Sequence, residues 1–110
     1  MIKDMMVRVR LKKSHHEQRV FSFVGKVVAF SDFWVVIDGR GVMLARQHPN
    51  GAQIDGKISR TVIPRDNINT IRVLPDDFDV AQITISTEGQ QLVMTVPGAL
   101  DCFLGELGEG

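Results

Sequence analysis

The sequence is poor in cysteine and has no hydrophobic run long enough to cross a membrane. Cys102 is the only cysteine in 110 residues, which excludes an internal disulfide and a cysteine-based zinc site. No window approaches the ~18 consecutive apolar residues that a membrane span requires. The first twelve residues include Lys3 and Asp4 and lack the apolar segment of a signal peptide. We therefore expect a cytoplasmic protein without a membrane partner.

The motifs that accompany catalysis or metal binding are also missing. We find no nucleophile elbow, no phosphate-binding loop and no paired metal-ligand spacing. His15, His16 and Glu17 are consecutive, and neighbours in an extended segment point in opposite directions. A polar turn therefore explains these three residues better than a metal site, and His48 lies in a loop beside Pro49. We expect no enzymatic activity, no cofactor and no bound metal.

Basic residues are absent from the last third of the chain. The formal net charge is zero, but residues 75–110 hold seven acidic residues and no Lys or Arg, whereas residues 1–26 hold seven Lys or Arg. Such a charge asymmetry is typical of proteins that bind anionic partners or that carry an acidic tail. One hypothesis is that the acidic segment lies over the basic strand residues and competes with nucleic-acid phosphates, so that its deletion raises RNA affinity. The other is a solubilising hairpin that covers a sheet edge.

Alternating apolar and polar residues predict an all-β fold. In the first strand Val7, Val9 and Leu11 share one face, and the opposite face carries three basic residues: Arg8, Arg10 and Lys12. That basic face is either a solvated sheet surface or an anion site. A second strand spans residues 19–30, where Gly25 indicates a bulge or a bend.

The stretch from residue 25 to 38 is the most strand-like of the chain, and residues 30–33 predict a sharp bend inside it. The third strand covers residues 33–37, followed by a hairpin turn at 38–41. Residues 42–45 either extend that strand past a kink or pair back on it. A loop at 47–51 leads to a fourth strand at 60–63, a tight turn at 65–67 and a fifth strand at 68–74.

The remaining residues predict an extension packed on the same domain. Residues 81–86 and 91–96 flank a turn and predict a β-hairpin. Residues 101–107 carry apolar side chains at helical spacing and predict one or two helical turns. The expected organisation is a five-stranded, strongly bent small barrel at residues 1–75 with an acidic extension at 76–110.

Two segments of this pattern resemble the Sm-like family, best in its bacterial Hfq form. Residues 25–33 look like its first motif, with glycine at 25 and phenylalanine at 30 and 33, and residues 64–71 look like the second motif. The sequence departs from the family at three positions: Ser31 replaces an Asp, Val35 replaces a base-reading Asn, and Asp66 replaces a His. The first turn is also longer, and residues 75–110 have no counterpart in the motifs.

The resemblance implies a homo-oligomeric ring of five to seven subunits that binds single-stranded RNA without catalysis. It places Phe33 where an aromatic ring stacks on a base, and Arg65 where a side chain contacts phosphate. Asn67 and the basic residues Arg8, Arg10 and Lys12 complete the candidate RNA-binding set. The alternative is a structural or protein-binding ring that has lost RNA binding, and a monomeric SH3-like interaction module is the third candidate. Trp34 is predicted to anchor the C-terminal hairpin rather than to form an exposed platform.

Overall fold

The computed structural model describes residues 2–13, 20–45 and 47–107, and these form two antiparallel sheets. The all-β prediction is confirmed. The segment with His15, His16 and Glu17 lies outside the described residues. No helix in the described part of the chain is long and apolar enough to span a membrane. The strands are β1 (Met6–Leu11), β2 (Phe21–Phe30), β3 (Trp34–Leu44), β4 (Ala52–Ile54), β5 (Ser59–Pro64), β6 (Ile68–Val73), β7 (Ile85–Glu88), β8 (Gln91–Met94) and β9 (Cys102–Glu106).

The first sheet has the order β4-β3-β2-β1-β6, and β5 also pairs with β3. Its curvature arises in β3, whose first half pairs with β5 and whose second half pairs with β4. A register shift in β2 between Val27 and Ala29 adds a bulge, which bends a strand. The inner face of the bent sheet encloses one core, built from β-branched side chains: Val7, Val9, Val27, Val35, Ile37 and Ile63.

The second sheet, with the order β7-β8-β9, covers part of the outer face of the first. The larger core lies between the two sheets, and both parts of the chain contribute to it. Residues up to 74 supply six of its buried members and residues 78–104 supply seven. They are Val20, Val24, Val42, Leu44, Ala52, Leu74, Phe78, Val80, Leu92, Met94, Val96, Cys102 and Leu104.

Two cross-strand arginines join the extension to the first sheet. Arg8 and Arg72 lie directly opposite each other on β1 and β6, a like-charge pairing that is unfavourable by itself. Arg8 is buried; its Nε donates to Ser22 Oγ at 2.9 Å, and its terminal amine donates to the Leu104 carbonyl at 3.2 Å. Arg72 donates to the carbonyls of Leu100 and Asp101. The extension thus supplies backbone acceptors for both guanidinium groups.

These contacts correct one part of the basic-face prediction. The alternation is confirmed, because Val7 and Val9 point into the barrel core and Arg8 lies on the opposite face. The prediction that the Arg8 side chain is solvated is wrong, because the extension covers it. Burial lowers the pKa of the Arg8 guanidinium, the charges of Arg10 and Arg72 act in the same direction, and Cys102 opposes them. The acidic segment folds over the basic residue Arg8, and it contacts Arg8 through the backbone carbonyl of Leu104.

Three local predictions between residues 25 and 64 need revision. Residues 38–41 do not turn; they continue β3, which confirms the extended alternative for residues 42–44. Gly25 is not the bulge, because it pairs in register with Gly39. A Cβ on either glycine would overlap backbone atoms of the other strand, so the close approach of β2 and β3 at this point requires glycine at both positions. The predicted polar loop before β5 also contains the short strand β4.

Two predictions about the extension are wrong in part. Within residues 101–107, Cys102–Glu106 form strand β9, which pairs with β8. Cys102 and Leu104 are buried and Phe103 is exposed between them. The side chains therefore alternate between two faces, as in a strand, and do not follow the period of a helix. The first strand of the predicted hairpin starts at Ile85, and a 3₁₀ turn at Val80–Gln82 precedes it.

A paired carboxylate on the outer face gives the fold an acid-sensitive contact. Arg60 donates Nε and a terminal amine to the two oxygens of Asp38 at 2.8 and 2.9 Å, and this hydrogen bonding lowers the Asp38 pKa. A depressed carboxyl pKa stabilises the fold above the unfolded value of about 3.9 and loses that effect as the pH falls through the folded value.

We therefore expect the free energy of unfolding to fall less steeply below about pH 4 in Asp38→Asn than in the parent protein. The difference should be small, because both side chains are exposed and solvent screens the pair. Urea unfolding followed by circular dichroism at stepwise lower pH measures it. Parallel curves for the two proteins would show that the pair contributes nothing.

Candidate functional site

Three aromatic residues and one arginine lie around the turn from β2 into β3, at one end of the bent sheet. Phe30 ends β2, Phe33 lies in the turn and Trp34 begins β3. Phe33 is 74% exposed and Trp34 is 49% exposed, and their ring centroids are 6.2 Å apart at an angle of 45°. The guanidinium of Arg65 lies 4.9 Å from the centre of the Phe30 ring. We call these four residues the aromatic corner.

The turn that exposes these rings is fixed by Ser31. The Ser31 hydroxyl accepts hydrogen bonds from the backbone amides of Phe33 and Trp34, each at 3.2 Å. The Ser31 amide donates to the Trp34 carbonyl at 3.0 Å. A serine that bonds its own following backbone is a common turn former. The bend predicted at residues 30–33 is therefore present, and it directs the Phe33 side chain into solvent.

A 3₁₀ turn at Arg65–Asn67 holds Arg65 against the Ser31 turn. The Arg65 amide donates to the Phe33 carbonyl at 2.9 Å, and its guanidinium donates to the Ser31 carbonyl at 3.2 Å. The carboxylate of Asp32 lies 4.0 Å from the same guanidinium. Arg65 is thus held at the corner by backbone contacts and by a cation–π contact, a geometry that keeps its charge beside the Phe30 ring.

The structure brings together half of the residues predicted for RNA binding. Phe33 and Arg65 lie at the aromatic corner, and Asn67 belongs to the same 3₁₀ turn as Arg65. Lys12 is exposed at the end of β1, where its amide donates to the Asn67 carbonyl at 2.8 Å. The other two lie along β1, and one of them is out of reach of any ligand: Arg8 is buried beneath β9, and Arg10 is half-buried.

Sequence reasoning missed two members of the corner. The predicted role of Trp34 as an anchor of the C-terminal hairpin is wrong, because half of its surface is exposed and its aromatic contact is with Phe33. For Phe30 the sequence predicts a place in the bend and in the first family motif, but no role in binding. The signal was three aromatic residues within five positions around a Ser-Asp turn. Side chains beside a turn are more exposed than those in the middle of a strand.

Val35 and Asp66, which depart from the family motifs, have different locations. Val35 is fully buried in the barrel core, so it cannot read a base. Asp66 is exposed in the 3₁₀ turn next to Arg65, where its charge opposes the approach of a phosphate. Among the residues that the structure describes, no group of three or more His, Cys, Asp or Glu could hold a metal ion.

Comparisons with protein-family models, with curated proteins and with solved structures found no match to this chain. The chemistry of the site must therefore be read from its geometry. Exposed aromatic rings stack on any nucleobase, and a fixed arginine adds a charge for phosphate. Among the described residues, no recorded hydrogen bond directs a neutral polar side chain toward the rings. Such a surface suits a ligand with flat rings and a negatively charged backbone, recognised with little dependence on sequence.

Proposed function

We propose that this protein is a non-catalytic RNA-binding protein that assembles into a homo-oligomeric Sm-like ring of five to seven subunits. Each subunit would present its aromatic corner to single-stranded RNA. The observation that carries the RNA-binding part is the exposed Phe33 ring, held beside Trp34 in a turn to which Arg65 is bonded through its backbone amide. The ring size comes from the resemblance of residues 25–33 and 64–71 to the family motifs.

The unfinished barrel supports the assembly part of the proposal. In the described residues β5 pairs only with β3 and β6 only with β1, so each has a free edge. Ile71 and Val73 lie opposite Val9 and Val7 and hence face the barrel interior, yet Val73 is 54% exposed. Free edges and uncovered inward side chains favour pairing with another strand. Both edges have six residues, and joining β5 of one copy to β6 of the next would cover both.

One observation favours a second candidate, a protein-binding ring without RNA. The aromatic corner carries the carboxylates of Asp32 and Asp66 beside its single guanidinium. With Arg8 buried, the net positive charge available to a phosphate chain is small. In this candidate the exposed rings of Phe33 and Trp34 would instead pack on an apolar side chain of a partner, as exposed aromatic anchors commonly do.

Replacement of Phe33 distinguishes the two candidates. We expect Phe33→Ala to weaken binding of fluorescent oligo-U or oligo-A by about 5- to 100-fold, since stacking contributes ~1–3 kcal/mol per base. The salt dependence should not change, because Phe33 carries no charge. Arg65→Gln should instead reduce the slope of log K against log salt by about one for each phosphate that the variant no longer neutralises. Fluorescence anisotropy at several salt concentrations measures both quantities.

Phe103→Ala is the matched control, because Phe103 is also an exposed phenylalanine but lies on β9. It should bind RNA like the parent. Light scattering coupled to size exclusion should give a discrete oligomer of 12.3 kDa subunits for all four proteins. An oligomer of that kind without affinity for either oligonucleotide at low salt would reject RNA binding and leave the protein-binding ring.

A further inference from the structure

The extension places an exposed leucine beside one of the two free strand edges. Arg72 lies on the outer face of β6, opposite Arg8, and its guanidinium donates to the carbonyls of Leu100 and Asp101. These bonds hold the segment between β8 and β9 against the outer face of β6. The Leu100 side chain is 85% exposed. An apolar side chain that is mostly exposed on a segment held by hydrogen bonds has a surface to offer to a partner.

The other free edge carries an apolar strip on its outer face. Trp34, Val36 and Val62 lie on that face, since they alternate with buried Val35 and Ile63. The cross-strand register places Val36 opposite Val62 and Trp34 opposite Pro64. Val62 is 58% exposed. The second sheet covers the outer face elsewhere, through β2, the second half of β3 and β4, whereas Trp34 and Val62 remain exposed and Val36 is half-buried.

We propose that the extension is an assembly element: Leu100 of one copy packs on the outer-face strip of β5 in the next copy. This inference rests on the proposed pairing of β5 with β6 between copies. Paired strands lie about 4.8 Å apart, and each face of a continuous sheet stays on its own side. The outer face of β5 would therefore lie one strand spacing from Arg72, directly next to the segment that Arg72 holds.

Complementary charge also favours this contact between the extension of one copy and β5 of the next. The extension contains no Lys or Arg, and Asp101 next to Leu100 is exposed. The β5 side of the interface carries Lys57 just before the strand, together with Arg60, whose guanidinium is already paired with Asp38. An acidic, leucine-bearing segment thus faces a basic, valine-bearing edge, and complementary surfaces of this kind guide the two partners into one orientation.

The proposal is tested by charge substitution at Leu100 and Val62, using the full chain. Leu100→Glu should raise the dissociation concentration of the oligomer at least about tenfold, as expected when one leucine is removed from an apolar interface. Val62→Lys should weaken assembly in the same way. The double variant should recover part of the affinity, because the new charges would attract each other across the interface. Mass photometry over a dilution series gives the dissociation concentrations.

Ser86→Glu is the control, because it adds the same charge to the exposed strand β7, at the far side of the second sheet. It should leave the dissociation concentration unchanged, and circular dichroism should show that every variant is folded. An oligomeric parent whose Leu100→Glu variant dissociates at the same concentration would overturn the role of the extension and leave the ring intact. A parent that is monomeric at all concentrations would reject the ring as well.

Discussion

A chain that ends at Pro75 is expected not to fold into a stable domain. Removing the extension exposes the six core residues that the barrel contributes to the larger core, among them Val24 and Leu44. Exposure of a large buried aliphatic side chain costs ~1.5–3 kcal/mol, and the total is comparable to the ~5–15 kcal/mol that stabilises a whole domain. The deletion also leaves Arg8 and Arg72 opposite each other without the carbonyls of Leu104, Leu100 and Asp101.

Residues 1–75 should therefore give an aggregated or unfolded product. Its amide signals in an NMR spectrum should be poorly dispersed, and it should show no cooperative thermal transition. A chain that ends at Leu107 keeps both arginine contacts and the whole larger core, and it is the control. If residues 1–75 gave well-dispersed amide signals and a sharp transition, the barrel would be an independent domain. The same result bears on the idea that the acidic segment inhibits RNA binding, since deletion can test inhibition only in a fragment that folds.

The second large effect is expected at Gly25. Gly25 and Gly39 face each other across β2 and β3, and a Cβ on Gly25 would overlap the carbonyl of Asp38 and lie 2.5 Å from the Gly39 Cα. Neither neighbour is a flexible side-chain end, so the strands themselves must separate. We expect Gly25→Ala to cost more than the ~1–3 kcal/mol typical of an overpacked core. The free energy of unfolding, from urea denaturation, measures it.

Gly56→Ala is the matched control, because no atom lies within 4 Å of its added Cβ. Its stability should equal that of the parent within about 0.5 kcal/mol. Gly41→Ala should fall between the two, because its Cβ would meet side-chain atoms of Asp55 and Phe21 that can move. A Gly25→Ala protein as stable as the Gly56→Ala protein would show that the two strands do not approach as closely as the structure places them.

The bend between β2 and β3 also connects Gly25 to the candidate site. The close approach of Gly25 and Gly39 and the bulge at Val27–Ala29 determine how β2 arrives at the turn that carries Phe33. A change at Gly25 that leaves the protein folded should therefore also weaken the RNA binding that we propose for the aromatic corner, although the corner itself is unaltered. Stability and affinity measured on one variant connect the fold to its proposed function.

Local sequence determined the parts of this protein that depend on neighbours in the chain. Alternation located β1 and β6 and assigned Val7 and Val9 to a buried face, because side chains along a strand point to opposite sides whatever it pairs with. The Ser-Asp segment located the bend, since its hydrogen bonds lie within four residues. The turn at Arg65–Asn67 followed from its place between two strands, whereas its contact with Phe33 joins distant parts of the chain.

Only the tertiary structure decided which faces meet. The buried location of Arg8 depends on a carbonyl 96 residues away, and no pattern within β1 distinguishes a covered arginine from a solvated one. The apolar positions of residues 101–107 fit a helical period, yet pairing with β8 selected the strand. Trp34 is exposed because the second sheet covers a different part of the outer face. Long-range packing, which local patterns do not encode, decided each case.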